Sequence, residues 1–265
     1  MPDLIVPTLD ISDVSVYYGH KCAVENVSFN AHSGHIYAII GNNGCGKTSL
    51  MKAVMNLTGH NGICRLNGKT LEKMSVKKRA RLISYIPQKT GINISMTVRE
   101  ACLLGFNPYL RIFESYSSNM RQQVDKAIDS VGLAGLYNTD FLTLSEGQKQ
   151  LCILARTLIE DTPLLLLDEP DSSLDFSNKY RLMKKIKALI NSETAALICI
   201  HDPALALNFC DRIILMKNGH LAGEIRPATS TLEEINSKMS IIFDDIFISR
   251  CTDNDNKEHL CIMMR

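Results

Sequence analysis

The sequence predicts an α/β fold, a parallel sheet with an antiparallel β flank and a helical subdomain, and two observations carry that reading. Five short apolar runs, Ile36 to Ile40, Leu82 to Ile86, Leu164 to Leu167, Ala196 to Ile200 and Ile213 to Met216, stand among helical patterns. Strands that read as almost wholly apolar are covered on both faces, which is the habit of parallel sheets. Between Lys89 and about Asp161 the pattern changes: Met96 to Phe106, Arg121 to Val131 and Ser145 to Ile159 have helical periodicity with no strand pattern among them. Leu9 to Tyr17, Val24 to Asn30 and Ile63 to Leu66 read instead as short antiparallel strands beside the first parallel one.

These readings divide the chain into a core of residues 1–88 and 162–230, a helical subdomain of 89–161 packed on the sheet, and a tail of 231–265. The tail holds a helix from Thr231, an apolar-rich stretch from Ser240 to Ile248 and a polar stretch around Asp253 to Glu258. There is no internal repeat, low-complexity tract or Pro/Gly-rich linker that would separate independent domains.

Composition narrows the function classes. With 29 Lys+Arg against 28 Asp+Glu the formal charge is +1, without the basic excess of a dedicated nucleic-acid binder. Nine cysteines occur with no C-x-x-C pair and no regular spacing, so they are not expected to form a zinc site. Cys152 and Cys199 lie in apolar surroundings and read as small buried hydrophobes, pointing to a reducing cytoplasm. The N-terminal residues lack a signal-peptide pattern and no stretch of about 18 apolar residues occurs, so the chain is not expected to span a membrane itself.

Gly41-Asn42-Asn43-Gly44-Cys45-Gly46-Lys47-Thr48 fits the phosphate-binding loop G-x-x-x-x-G-K-[ST], between the strand Ile36 to Ile40 and a helix from Lys47 to Leu57. Glycines let the backbone N–H groups turn around an anion and the helix N-terminus adds partial positive charge. Lys47 then reaches the terminal phosphates and the Thr48 hydroxyl suits Mg²⁺. The core is therefore expected to be of the P-loop NTPase kind. Leu164 to Glu169 is an apolar strand ending in two carboxylates, suited to a Mg²⁺-linked acid and a residue that orients or deprotonates water. Adjacent residues on an extended strand point to opposite sides, so Asp168 and Glu169 converge only if the chain turns, which Pro170 suggests.

Ser145-Glu146-Gly147-Gln148 opens the third helical segment. S-x-x-Q is a helix capping box, and a helix N-terminus is also an anion site; spacing leaves both open. Gln88 and His201 follow strands, and with Gly41 and Asp168 they fall at the carboxyl ends of parallel strands, where open α/β sheets bind ligands. His201 is placed to donate a hydrogen bond to a γ-phosphate; Tyr18 is equally a turn aromatic or a base-stacking ring.

Taken in order, Tyr18, Gly41 to Ser49, Gln88, Leu144 to Gln148, Leu164 to Glu169, Ser173-Leu174-Asp175 and His201 resemble the ATP-binding subunit of ABC transporters, over about Leu9 to Gly223. The resemblance implies that Tyr18 stacks on adenine and Gln88 links Mg²⁺ to a membrane partner. Asp168 would hold the metal, Glu169 would be the catalytic base, Asp175 would communicate across a dimer and His201 would sense the γ-phosphate. Ser145, Gly147 and Gln148 would cover ATP bound by the opposite subunit, so that composite sites form in a head-to-tail homodimer. The implied ligands are ATP and Mg²⁺, and the implied location is the cytoplasmic face of the membrane, peripherally on transmembrane permease subunits.

Thr97-Val-Arg-Glu100, Leu103 to Leu110 and His201 to Asn208 resemble the metal-chelate importers, which take up siderophore-bound iron, haem or cobalamin with an external substrate-binding protein. Two residues depart from the pattern. Glu146 replaces the usual small glycine of the signature, and Asp171-Ser172-Ser173 stands where Thr-Ser and a small residue are common; only Glu146 is expected to matter. The rival class is the soluble ABC ATPases of ribosomes, chromosomes or iron–sulfur assembly. The chain has neither the paired cassettes nor the coiled coil of the first two, which leaves an iron–sulfur assembly ATPase as the alternative. A regulatory subunit that holds ATP without turnover is opposed by Glu169 and His201.

Overall fold

Residues 8–88, 91–172, 174–253, 256 and 258–264 are described by the computed structural model. In chain order the elements are β1 (Leu9–Tyr18), β2 (Lys21–Ala31), β3 (Ile36–Ile40), α1 (Lys47–Val54), β4 (His60–Leu66), β5 (Lys69–Thr70), α2 (Val76–Arg79) and β6 (Ile83–Ile86). There follow α3 (Val98–Leu103), α4 (Ser118–Ser130), α5 (Glu146–Glu160), β7 (Leu164–Asp168) and α6 (Phe176–Leu189). The chain ends with β8 (Ala195–Cys199), α7 (Pro203–Phe209), β9 (Arg212–Lys217), β10 (His220–Ile225), α8 (Leu232–Met239), β11 (Ile246–Thr252) and β12 (Glu258–Met264). It forms two compact units, residues 1–73 with 190–265, and residues 74–189.

The first unit is built on strands whose burial matches their sequence. Every residue of β3 and of β8 is buried, as their unbroken apolar runs predict. β3 pairs in parallel with β8 and β9, Ala38 lying opposite Ile198 on one side and Ile213 on the other, and β10 closes that edge antiparallel to β9. A second, antiparallel sheet has the order β2-β1-β4-β5. Its first two strands are longer than their sequence suggests, 10 and 11 residues, and β1 carries irregularities in register near Asp13, whose φ is +53°. Against β1 and β2 packs α1, through buried Leu50, Met51 and Val54.

The tail forms a helix and an antiparallel hairpin, β11 with β12, in which Ile248 faces Ile262. Two asparagine amides hold it like added strands. Asn236 donates to Ile248 O (2.8 Å) and accepts from Ile248 N (2.7 Å), while Asn208 donates to Leu260 O (2.8 Å) and accepts from Leu260 N (3.1 Å). Cys251 and Cys261 are paired across this hairpin; the other seven cysteines form no disulfide, and Cys152 and Cys199 are fully buried as expected. The pairing escapes sequence reading because the ten-residue separation is set by the hairpin register, not by a motif.

The second unit holds β6 and β7 in parallel register, Ile83 opposite Leu164 and Ile86 opposite Leu167, with α3, α4 and α5 packed on one another. No strand lies between Val98 and Glu160 among the described residues, as the periodicity predicts. The segment Thr97-Val-Arg-Glu100 is a capping box: Thr97 Oγ1 accepts from Glu100 N, and Glu100 Oε2 from Thr97 N (2.7 Å). Such caps contribute about 1 kcal/mol each. Among the described residues no helix is long and apolar enough to cross a membrane.

Candidate functional site

The first unit supplies a phosphate-sized cradle. The chain leaves β3 at Gly41, turns through Asn42–Asn43–Gly44, where Cys45 N donates to Asn42 O (3.1 Å), and enters α1 through Gly46 at φ +107°. Two glycines are required by space, and Gly46 by torsion as well. A Cβ on Gly46 would lie 2.3 Å from Ala23 O, and one on Gly41 would lie 2.2 Å from Met216 O. We therefore expect Gly46→Ala to destabilise the protein by about 3 kcal/mol or more, because it combines a left-handed φ with a backbone clash. Urea unfolding checks this, and a loss below 1 kcal/mol would contradict it.

α1 differs from the other described α-helices at its start. Ser75, Thr97, Ser117, Ser145, Asp175, Asp202 and Thr231 place side-chain caps on α2 to α8, whereas α1 begins at Gly46 without one. A helix N-terminus without a side-chain cap fits an anionic ligand, since first-turn N–H groups need an acceptor. Lys47 is buried (5% exposed) and its Nζ donates to Gly41 O at 2.8 Å, holding the ammonium against the loop. Tyr18 ends β1 half-exposed. Its phenol is held below its usual range chiefly by the Ser49 hydroxyl, with Thr58 and Lys52 adding and burial opposing, so Tyr18 stands against the first turn of α1. His201 lies two residues beyond β8, and Asp202 caps α7 by accepting from Ala204 N (2.9 Å). Gly41 and His201 thus fall at the carboxyl ends of neighbouring parallel strands.

The second unit supplies an acidic pair. Asp168, the last residue of β7, is 2% exposed and accepts from the Tyr85 hydroxyl at 3.4 Å. Glu169 has φ +50°, so the turn begins at Glu169 itself and not at Pro170 as the sequence suggests. A non-glycine residue in that region is uncommon and turns the chain within one residue. Gln88 lies two residues beyond β6, and its Nε2 donates to Glu169 Oε2 at 2.5 Å. Gln88 thus still offers an amide oxygen and Asp168 a carboxylate, hard oxygen donors of the kind Mg²⁺ takes. Tyr85 is the residue that sequence reading missed here: its contact spans 83 residues and no motif marks it.

At α5 the capping box is present in both directions, Gln148 N to Ser145 Oγ (3.3 Å) and Ser145 N to Gln148 Oε1 (3.0 Å). Glu146, exposed in the first turn, pairs with Lys149 Nζ at 2.8 Å. Gly147 meets only ordinary contacts where a Cβ would stand, so neither crowding nor torsion accounts for a glycine there. Asp175 caps α6 through Asn178 N (2.8 Å). Of the Ser173-Leu174-Asp175 segment, Ser173 lies outside the described residues.

Residues 24–172, more than half of the chain, match the family model described as ABC transporter. The chain belongs to the ABC transporter family. It carries the ABC ATPase domain, whose matched region includes the phosphate loop and the acidic pair. It is 31% identical over 223 residues to the cobalamin import ATP-binding protein BtuD of Halobacterium salinarum, covering 83% of this chain and 56% of that protein, so it spans little more than half of that relative. It is 33% identical to the hemin import ATP-binding protein HmuV of Rhizobium leguminosarum, over 84% of this chain and 85% of that one. An inward-facing metal-chelate type ABC transporter shares the fold, with a TM-score of 0.82, 20% identity and 98% of each chain covered. A dimeric bacterial ABC transporter cassette does so with a TM-score of 0.75, 23% identity and coverage of 83% and 98%.

Proposed function

We propose that the chain is the ATP-hydrolysing subunit of an ABC importer, powering uptake of an iron-siderophore, haem or cobalamin-type chelate through partner membrane subunits. The observation that carries hydrolysis is the Gln88–Glu169 hydrogen bond at the end of β7, beside buried Asp168. The cargo class is supported by relatives named for cobalamin and hemin import and, in Helicobacter pylori, for probable iron chelatin transport, the last 28% identical over 89% of this chain. In this reading Asn42 to Ser49 hold the triphosphate, with Lys47 countering its charge, and Tyr18 takes the base. Thr48, Gln88 and Asp168 would hold Mg²⁺, which when bound offsets phosphate charge. Glu169 accepts the proton of the attacking water, Gln88 orients that carboxylate, and His201 donates to the γ-phosphate.

A homodimer, transmembrane permease subunits and an external substrate-binding protein complete the proposed system, with the chain on the cytoplasmic membrane face. Ser145, Gly147, Gln148 and Asp175 act across the dimer. An open cleft of about 350 Å³ lined by Lys77, Leu110, Ile112 and Tyr116, with Phe113 fully exposed beside it, supports a partner contact on the second unit. The test is to isolate the tagged chain from detergent-solubilised membranes and reconstitute it in liposomes. Co-isolation of a permease and ATP-driven chelate uptake support the reading; recovery with soluble iron–sulfur assembly proteins alone favours the alternative.

Glu146 tempers this activity. The Lys149 pair is exposed on the Glu146 side and neutralises the carboxylate only in part. Glu146→Gly is expected to raise ATP affinity or turnover about two- to fivefold, corresponding to ~0.3–1 kcal/mol. Unchanged kinetics in the assembled transporter would sink that expectation.

A further inference from the structure

We propose that His60, Cys64 and Glu72 form a binding site for one divalent transition-metal ion of the zinc class, separate from the nucleotide machinery. His60 and Cys64 stand four residues apart on β4 and therefore share one face of the strand. The antiparallel return through β5, Arg65 opposite Thr70 and Leu66 opposite Lys69, brings the short 3-10 turn Leu71–Lys73 back beside them and places Glu72 there. One nitrogen, one sulfur and one carboxylate oxygen lie within 4.8 Å of one another, and side-chain adjustment that closes the widest of these gaps to the roughly 3.3–3.7 Å between ligands sharing one ion brings all three to bonding distance.

The hydrogen bonds around this trio point to a cation. His60 Nδ1 lies 3.1 Å from Thr58 O and Nε2 lies 2.9 Å from Glu72 Oε1. Both neighbours accept and neither donates, so a neutral ring satisfies one of them and leaves a lone pair on its other nitrogen; with a metal at Nε2, Nδ1–H stays on the carbonyl. That is the usual support of a histidine ligand, in which the far nitrogen fixes the ring. An ion pair alone leaves two groups without a use. Glu72 Oε1 also accepts from Cys64 N at 2.7 Å, while Glu72 Oε2 is shielded from solvent and has no hydrogen-bond partner. The Cys64 side chain is fully buried and makes no side-chain hydrogen bond among the described residues. A mixed sulfur, nitrogen and oxygen set matches the borderline softness of Zn²⁺ and leaves its fourth position to water. The cysteine count alone hides this site because it uses a single cysteine.

The test uses the full chain, freed of metal by a chelator and without nucleotide, titrated with Co²⁺ as a spectroscopic probe and then with Zn²⁺ in competition. The expected result is one Co²⁺ per chain with a thiolate-to-cobalt charge-transfer band, displaced by Zn²⁺. The band should vanish in Cys64→Ser and in Cys64→Ala, and affinity should fall at least about tenfold in His60→Gln. Zn²⁺ should also raise the thermal unfolding midpoint of the unaltered chain. Absence of the band in that chain overturns the proposal and leaves the buried ion pair, whether or not the variants fold. So does a band of unchanged intensity in a folded Cys64 variant, which would place the metal at another cysteine.

Discussion

Glu169→Gln slows steady-state ATP turnover by about 10²- to 10⁴-fold, the range a positioned general base contributes, while nucleotide affinity stays close to that of the unaltered chain. The substitution is chosen because it keeps the shape of the site. Glu169 sits at φ +50° and accepts from Gln88 Nε2; a glutamine there has the same backbone demands and still offers an amide oxygen to Gln88. What it removes is the capacity to take a proton from water. The loss must therefore appear in kcat and not in KM, the signature of an interaction made only at the transition state. Size-exclusion chromatography in ATP supplies the second readout, since a chain that binds without hydrolysing accumulates as the ATP-bound dimer. Turnover within tenfold of the unaltered chain would assign proton transfer elsewhere and reduce Glu169 to a partner of Gln88.

The parts of this site legible in the sequence are those whose determinants are local. β3, β7 and β8 declare themselves because burial on both faces demands consecutive apolar residues, and their observed burial is complete. The phosphate loop is legible because a left-handed turn at Gly46 against Ala23 O tolerates nothing but glycine. The capping box at Ser145 is fixed within four residues, so spacing alone finds it. What stays hidden is long-range or torsional. The bond from Gln88 to Glu169 spans 81 residues, and the left-handed φ of Glu169 falls on a residue type that gives no sign of it. The strands of the tail stay hidden for a related reason. β11 alternates buried and exposed positions only loosely, and its place depends on the amides of Asn236 and Asn208, which as isolated asparagines carry no strand signal. His60, Cys64 and Glu72 meet through the same kind of return, in which turn geometry and not spacing sets the neighbours.

Lys47→Ala is expected to weaken ATP binding by at least about 100-fold, because in the proposed nucleotide complex the ammonium would face the phosphates from a buried position where charge-assisted bonds are strong and unscreened. Lys47 is 5% exposed and its Nζ is held at 2.8 Å from Gly41 O, so it is positioned before any ligand arrives and little side-chain entropy remains to be lost on binding. Breaking a buried charge pair costs about 3–5 kcal/mol, which at 1.4 kcal/mol per decade gives a hundredfold loss as the lower bound. The stabilisation conferred by ATP, read as a rise in the unfolding midpoint, should disappear in the alanine variant. Equilibrium binding of a fluorescent ATP analogue, paired with thermal unfolding at several ATP concentrations, reads both. Binding reduced less than tenfold would mean that the uncapped start of α1 and the loop backbone hold the triphosphate without the ammonium. A fall in the ligand-free midpoint would mean that Lys47 is chiefly a structural tie to Gly41.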